Sequence, residues 1–294
     1  MTTDPPADLT RLPARRADSS KRDYGRVVVV GGSAGMAGAP ALAAMAALKS
    51  GAGLVEIVAP EGAAAIAATF DPCAMARAAP AAEDGTFAPS SRDVIAERVA
   101  AADAVAVGPG IGRTDAVRDL VVHLWHELPQ PAVFDADALW ALAQVPVADR
   151  LRHAGPRVLT PHAGEMARLL GAAPDGPVAR DRDALEREAA AMAGAIDAVV
   201  VLKGAGTLVV DPRARGRTET GNAGMATAGT GDVLTGVTAA LLAQGMDPFA
   251  AARLAAWVHG RAGDVAAVDL GQVSMTARDL LERLHVAFRE AGPG

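Results

Sequence analysis

The chain is poor in residues that mark several common protein classes. Its 294 residues include one cysteine, Cys73, which excludes an internal disulfide and a cysteine-rich metal site. A solitary cysteine of this kind is expected as a small apolar filler. Aromatic residues make up 3%, so a core has to be built from aliphatic side chains and alanine. No stretch of about 20 apolar residues is free of glycine or charge, and no membrane span is expected. There is no long basic run, and the net charge is −6, which argues against a nucleic-acid or anionic-membrane partner. Residues 1–24 hold prolines and charges but no apolar signal stretch. They read as a flexible lead-in to a cytoplasmic protein. Lysine is scarce: positions 21, 49 and 203 only, against 25 arginines (28 basic residues less 3). Six histidines are present, none in a metal-ligand spacing such as H-E-x-x-H.

Apolar side chains are plentiful. Hydrophobic residues form 51% of the chain, enough for a large core. Strands are expected over Arg26–Val30, 54–58, 104–107, 131–134, 157–160, 197–202 and 208–211. Helices are expected from the glycine turn after residue 30 to about Lys49, and over 61–68, 91–101, 117–127, 180–195, 230–244 and 247–265. A last amphipathic helix starts near 274, with Ser274 or Thr276 as its cap. Residues 71–90 hold Pro72, Pro80 and Pro89 without clear periodicity and read as loop. The alternation predicts a three-layer α/β/α sandwich around a central, largely parallel sheet, with residues 25–294 as one domain. The helix over 247–265 is apolar almost all round, which predicts burial against the body or a neighbouring subunit.

Small-residue turns fall near residues 31, 108, 161, 203 and 229, and gathered on one sheet edge they would form one cleft. The turn after residue 30 is neither a P-loop, for want of a following Lys-Ser/Thr, nor a G-x-G-x-x-G fingerprint. The stretch from Gly221 to Gly236 is the most informative. A tight Gly229-Thr230-Gly231 turn at the mouth of a helix leaves backbone N–H groups free for an anion, phosphate above all. Asp232 beside it either caps the helix or serves as a general base toward a hydroxyl that attacks phosphorus. Lys203, between an apolar strand and a glycine turn, suits a phosphate oxygen. Asp135 and Asp137 close another strand. Asp135 is the better site candidate and Asp137 reads as a helix cap.

Gly229-Thr230-Gly231-Asp232 resembles the G-x-G-D signature of ribokinase-like small-molecule kinases. With Asn222-Ala223-Gly224-Met225-Ala226-Thr227, Pro161-His162-Ala163-Gly164-Glu165 and Lys203-Gly204-Ala205-Gly206-Thr207, the chain looks like the ADP/ATP-dependent NAD(P)H-hydrate dehydratases of that fold. The likeness covers about residues 25–290. Ala223 and Ala163 stand where proline is usual, and Ala228 where glycine is usual. The resemblance implies that Ala39, Gly110, Gly112 and His162 hold the hydrated nicotinamide nucleotide. It implies that residues 203–207 and Gly229, Thr230 and Gly231 hold the adenine nucleotide. It gives Asp232 the role of base, and Glu165 a magnesium role, direct or through water.

The chemistry implied is repair of NADH or NADPH that has added water across a ring double bond. ADP or ATP phosphorylates the C6 hydroxyl with Mg²⁺, and phosphate then leaves as the ring nitrogen pushes electrons. A homo-oligomer, a tetramer by family analogy, and a separate epimerase are the implied partners. Two rivals share parts of this pattern: a ribokinase-like kinase of a small vitamin-type alcohol, and a non-catalytic adenylate sensor.

Overall fold

The structure, a computed structural model of the chain, describes residues 4–293. In chain order it contains β1 (Arg26–Val30), α1 (Gly38–Lys49), β2 (Leu54–Pro60), α2 (Glu61–Ala67), β3 (Met75–Ala79), α3 (Arg92–Val99), β4 (Ala104–Val107), α4 (Asp115–Glu127) and β5 (Ala132–Phe134). Then follow α5 (Asp137–Ala143), α6 (Val147–Arg150), β6 (Arg157–Leu159), α7 (Ala163–Leu169), α8 (Pro177–Arg180), α9 (Arg182–Ile196), β7 (Val199–Leu202), β8 (Thr207–Val210) and β9 (Arg215–Thr218). The chain closes with α10 (Thr230–Ala243), α11 (Pro248–Leu270) and α12 (Ala277–Ala291).

All nine strands form one sheet in the order β3-β2-β1-β4-β5-β6-β7-β8-β9. Pairing is parallel from β3 to β7 and antiparallel at β8 and β9. The central strands are valine and alanine runs buried on both faces, as strands sandwiched between helices must be. Alternate residues therefore serve two cores. Val27, Val29, Ala104, Ala106 and Val201 pack under α1, α10, α11 and α12. Val28, Val30, Val105, Val107 and Phe134 pack under α3, α4 and α5. Met166 of α7 and Leu185 of α9 pack on Val200 and Leu202 in a smaller third cluster. The expected three-layer α/β/α sandwich is the one observed.

With so few aromatics, the first core depends on close helix approach. A methyl on Gly236 of α10 would overlap the Ala43 carbonyl of α1, so glycine there and alanine opposite set the spacing. The last helix starts at Thr276, whose hydroxyl and amide both meet the Asp279 carboxylate in a capping box. Ser274, the other expected cap, lies outside the helix.

Several expectations are corrected. Residues 71–90 are not all loop, because β3 pairs with β2. Most of β3 is exposed, so it shows no apolar period. Edge strand β9 also carries no apolar signal in its Arg-Gly-Arg-Thr sequence. The short helices α6 and α8 were not expected, and α11 runs on to Leu270. Cys73 is exposed, because it lies in the turn before an edge strand, and it fills no core. Residues 4–24, expected as a flexible lead-in, lie against the body. Leu9 is buried, Asp8 pairs with Arg253, and the Arg15 guanidinium sits over Tyr24 and donates to the Gly51 carbonyl. Among the described residues no helix is long and apolar enough to cross a membrane.

Candidate active site

Parallel strands end on one edge, and the turns singled out from the sequence collect there. The strand order reverses direction between β1 and β4, where ligands of open α/β sheets bind. The loops after these two strands are tied together. Gly32 N–H donates to the Pro109 carbonyl at 2.9 Å, and Ser33 Oγ to the Gly110 carbonyl at 2.9 Å. A methyl on Gly110 would sit 3.2 Å from Ala39 Cβ and 2.8 Å from the Met36 carbonyl. Ala39 and Gly110, two of the residues expected on the substrate side, thus adjoin each other, and Gly112, the third, lies beside Ser33 and Thr86. Asp137 does not cap α5 with its side chain, since Ala136 is the N-cap residue. Its carboxylate instead accepts from Gly112 N–H at 3.2 Å and from Arg113 Nε at 2.6 Å.

Beyond β5, β6 and β7 lies a charged cluster. Asp135 is 1% exposed. Its carboxylate accepts from Lys203 Nζ at 2.8 Å and from the Thr235 hydroxyl at 2.7 Å. Burial opposes the Asp135 charge, yet the ammonium and hydroxyl hold its pKa below the usual range. Burial likewise opposes the Lys203 charge, and Asp135 and Glu165 overcome it, so the lysine stays an ammonium. Lys203 is aimed at the helix mouth: a methyl on Gly231 would lie 3.3 Å from its Nζ and 3.6 Å from Asp135 Oδ2.

Glu165 and His162 form a reciprocal cap on α7. His162 Nδ1 accepts from the amides of Gly164 and Glu165 at 3.0 and 3.3 Å, and Glu165 Oε2 accepts from His162 N–H at 2.8 Å. Glu165 Oε2 also lies 3.6 Å from Lys203 Nζ. Burial raises the Glu165 pKa against the pull of Lys203. With Nδ1 accepting, His162 keeps its proton on Nε2. Burial and the Lys203 charge push its pKa down. Among the described residues no three His, Cys, Asp or Glu side chains are placed to hold a metal ion. Glu165 is committed to the cap and to Lys203, so the donor set does not make a protein cage for magnesium.

Asp232 stands in the first turn of α10. It is half-buried and makes no hydrogen bond or ion pair among the described residues. Burial, reinforced by Asp135 and opposed by Lys203, raises its pKa from 3.8 to about 7. The turn that carries it has Gly229 at φ 90°, with no side-chain cap. The amides of Thr230, Gly231 and Asp232 have no acceptor among the described residues, as an anion site at a helix N-terminus requires.

The turn at 204–207 lies farther out. It is gripped from outside by Arg182, which donates to the Lys203 and Gly206 carbonyls at 3.0 Å, and by Arg217, which donates to Gly206 at 3.0 Å. Among the described residues Gly204, Ala205, Gly206 and Thr207 make no hydrogen bond to Asp135, Glu165 or Asp232.

Asp135, the better site candidate at its strand end, is the pivot of the charged cluster. One feature escaped the sequence. The loop over 220–230 is moored on α11: Asp264 accepts from Gly221 N–H and Asn222 Nδ2 at 3.0 Å, and the Thr220 hydroxyl donates to the Trp257 carbonyl at 3.0 Å. Gly260 and Gly263, two glycines inside a helical pattern, were the available signal of that close approach.

The largely parallel sheet with helices on both faces has the ribokinase-like fold. The fold is shared with a ribokinase-like superfamily protein from Enterococcus faecalis, with a TM-score of 0.79 and 24% identity over 96% of this chain and 93% of that one. The chain belongs to the NAD(P)H-hydrate dehydratase family, whose profile matches residues 27–285. It is 46% identical to a bifunctional NAD(P)H-hydrate repair enzyme of Moorella thermoacetica over 95% of this chain and 52% of that protein. It is 39% identical to the ADP-dependent (S)-NAD(P)H-hydrate dehydratase of Neisseria meningitidis serogroup B over 92% of this chain and 90% of that one. The ADP/ATP-dependent NAD(P)H-hydrate dehydratase of Bacillus subtilis, co-crystallised with ATP/Mg²⁺, superposes with a TM-score of 0.78 at 29% identity, covering 95% and 94% of the two chains. The chain spans about half the length of the bifunctional relatives it matches.

Proposed function

We propose that this protein uses ADP or ATP to return the S-form hydrate of NADH or NADPH to the reduced cofactor. The observation that carries the reading is Asp232: an unpaired carboxylate with its pKa raised to about 7, beside three free amides and the Lys203 ammonium. The hydrate lies across Ala39, Gly110, Gly112 and His162. The nucleotide lies over residues 203–207, with its phosphates on Gly229, Thr230 and Gly231. Asp232 takes the C6 hydroxyl proton as that oxygen bonds to the terminal phosphorus and the nucleotide leaves one phosphate shorter. The ring nitrogen lone pair then expels inorganic phosphate, C5 loses a proton, and the double bond returns. Backbone amides and Lys203 hold the charge that develops on the phosphoryl oxygens. Mg²⁺ would be held mainly by the nucleotide phosphates, with Glu165 beside it directly or through water, and would neutralise the phosphoryl oxygens.

The test is incubation with the hydrate of NADH, ADP and Mg²⁺. Return of the near-ultraviolet absorbance of reduced nicotinamide, with one phosphate released per cofactor repaired, is the expected result. A stable phosphoester with no absorbance gain would mark a kinase of a small alcohol instead.

Residues 25–294 act in this reading as one catalytic domain of a cytoplasmic protein. An epimerase that interconverts the hydrate epimers is its partner activity. Assembly into a homo-oligomer is supported by the end of α11, where Val268 is 85% and the following Val273 100% exposed. Sedimentation of the protein as a monomer would overturn that part.

A further inference from the structure

His259 of α11 takes no part in the chemistry above, yet its ring lies directly behind the phosphate turn. Its Nε2 is 2.8 Å from the Thr230 carbonyl oxygen. A carbonyl can only accept, so the imidazole carries its proton on Nε2. Burial holds the ring neutral, with its pKa pushed down to about 4, which leaves this proton in place through the neutral range.

The Thr230 carbonyl and the Gly231 N–H belong to one peptide unit. Among the described residues there is no cis peptide bond, so in this trans unit the two groups point in opposite directions. One end faces His259. The other faces the mouth of α10, where Lys203 Nζ lies near the Gly231 α-carbon. A donor on the carbonyl polarises the amide and strengthens the N–H at its far end. The carbonyl has two lone pairs, so the imidazole adds to the helix ladder without replacing a rung. The same peptide is steadied from its other flank, because the Thr230 hydroxyl lies 2.9 Å from the Met225 carbonyl and 3.0 Å from that of Thr227.

We infer that His259 is a positioning residue for nucleotide phosphate: through the Thr230–Gly231 peptide it orients and strengthens the Gly231 amide that meets the phosphoryl group. It touches neither phosphate nor hydrate. The inference rests on the phosphate site proposed at Gly229–Asp232.

The test compares His259→Leu, His259→Gln and His259→Asn in the full chain, by calorimetric titration with ADP and Mg²⁺ and, separately, with adenosine. Adenosine has no phosphate, so it reads the rest of the nucleotide site alone. His259→Leu is expected to weaken ADP about threefold, a partial loss of the strength of one hydrogen bond to a charged group, and to leave adenosine unchanged. His259→Gln, whose amide reaches the same carbonyl, is expected to recover most of that loss. His259→Asn, whose amide falls short, is expected to behave as leucine does and stands in for it should leucine not fold. Wild-type ADP affinity in the leucine or asparagine variant would overturn the inference, as would equal losses of ADP and adenosine. Wild-type protein that binds ADP but repairs no hydrate would sink the proposed activity and leave this inference standing. Repair by a wild-type enzyme whose leucine variant still binds ADP normally would do the reverse.

Discussion

Asp232 keeps its proton to a pH at which an ordinary aspartate has long lost it. The cause is its half-buried seat beside Asp135, only partly offset by Lys203. A base must be deprotonated to work, so kcat/KM for the hydrate should rise with pH through a limb near 7 and level off above it. A limb at ordinary aspartate values would show that another group titrates. Asp232→Asn should lower the rate by about 10²–10⁴-fold while ADP binding survives, read by calorimetry beside the repair assay. The same carboxylate makes the fold less stable at high pH. Its folded pKa lies above its unfolded one, so the native state binds the extra proton between about 4 and 7. Stability from this group is full below that window and lost as pH rises through it, by about 4 kcal/mol. Asp232→Asn should therefore melt higher than the parent protein at pH 8 and equal it near pH 4. Lys203 belongs to the opposite category. Its removal leaves Asp135 buried without its cation, which should destabilise the fold by about 3–5 kcal/mol in a denaturant titration.

Elements differ in how plainly the chain declares them. The central strands are short β-branched runs bounded by glycine, and β1 and β4 fall where those runs predict. The edge strands β3 and β9 are exposed, so their sequences carry no burial pattern, and only their pairing makes them strands. α1 and α10 are legible as helices, but their contact is not. It depends on Gly236 meeting the Ala43 backbone. Gly236→Val should cost about 2–3 kcal/mol through overpacking, measured as a lowered denaturation midpoint with an unchanged slope. α11 looked uniformly apolar, which hid its two jobs. Its middle packs in the core, and His259 and Asp264 hold the loop that leads to Asp232.

For the whole molecule, one sheet spans every element from β1 to β9, so the chain should unfold in one step. ADP at one hundred times its dissociation constant adds about 2.7 kcal/mol. For 294 residues this shifts the single transition upward by about 4 °C. Two transitions, with only one moved by ADP, would show that the chain divides into separate folding units.

By itself the sequence determined the sandwich, the turns at the strand ends and the residues of the Gly229–Asp232 turn. These follow from local chemistry: β-branched runs, glycines where the backbone must bend, and an aspartate after a glycine pair. The charge state of that aspartate belonged to the tertiary structure. Asp135 and Lys203 follow β5 and β7, and Glu165 and Asp232 stand on α7 and α10, so their pKa shifts follow from burial and from distances between segments far apart in sequence. The pairing of Lys203 with Asp135, the approach of Lys203 to Glu165 and the imidazole behind Thr230 all arise from contacts across the fold, which no local spacing along the chain encodes.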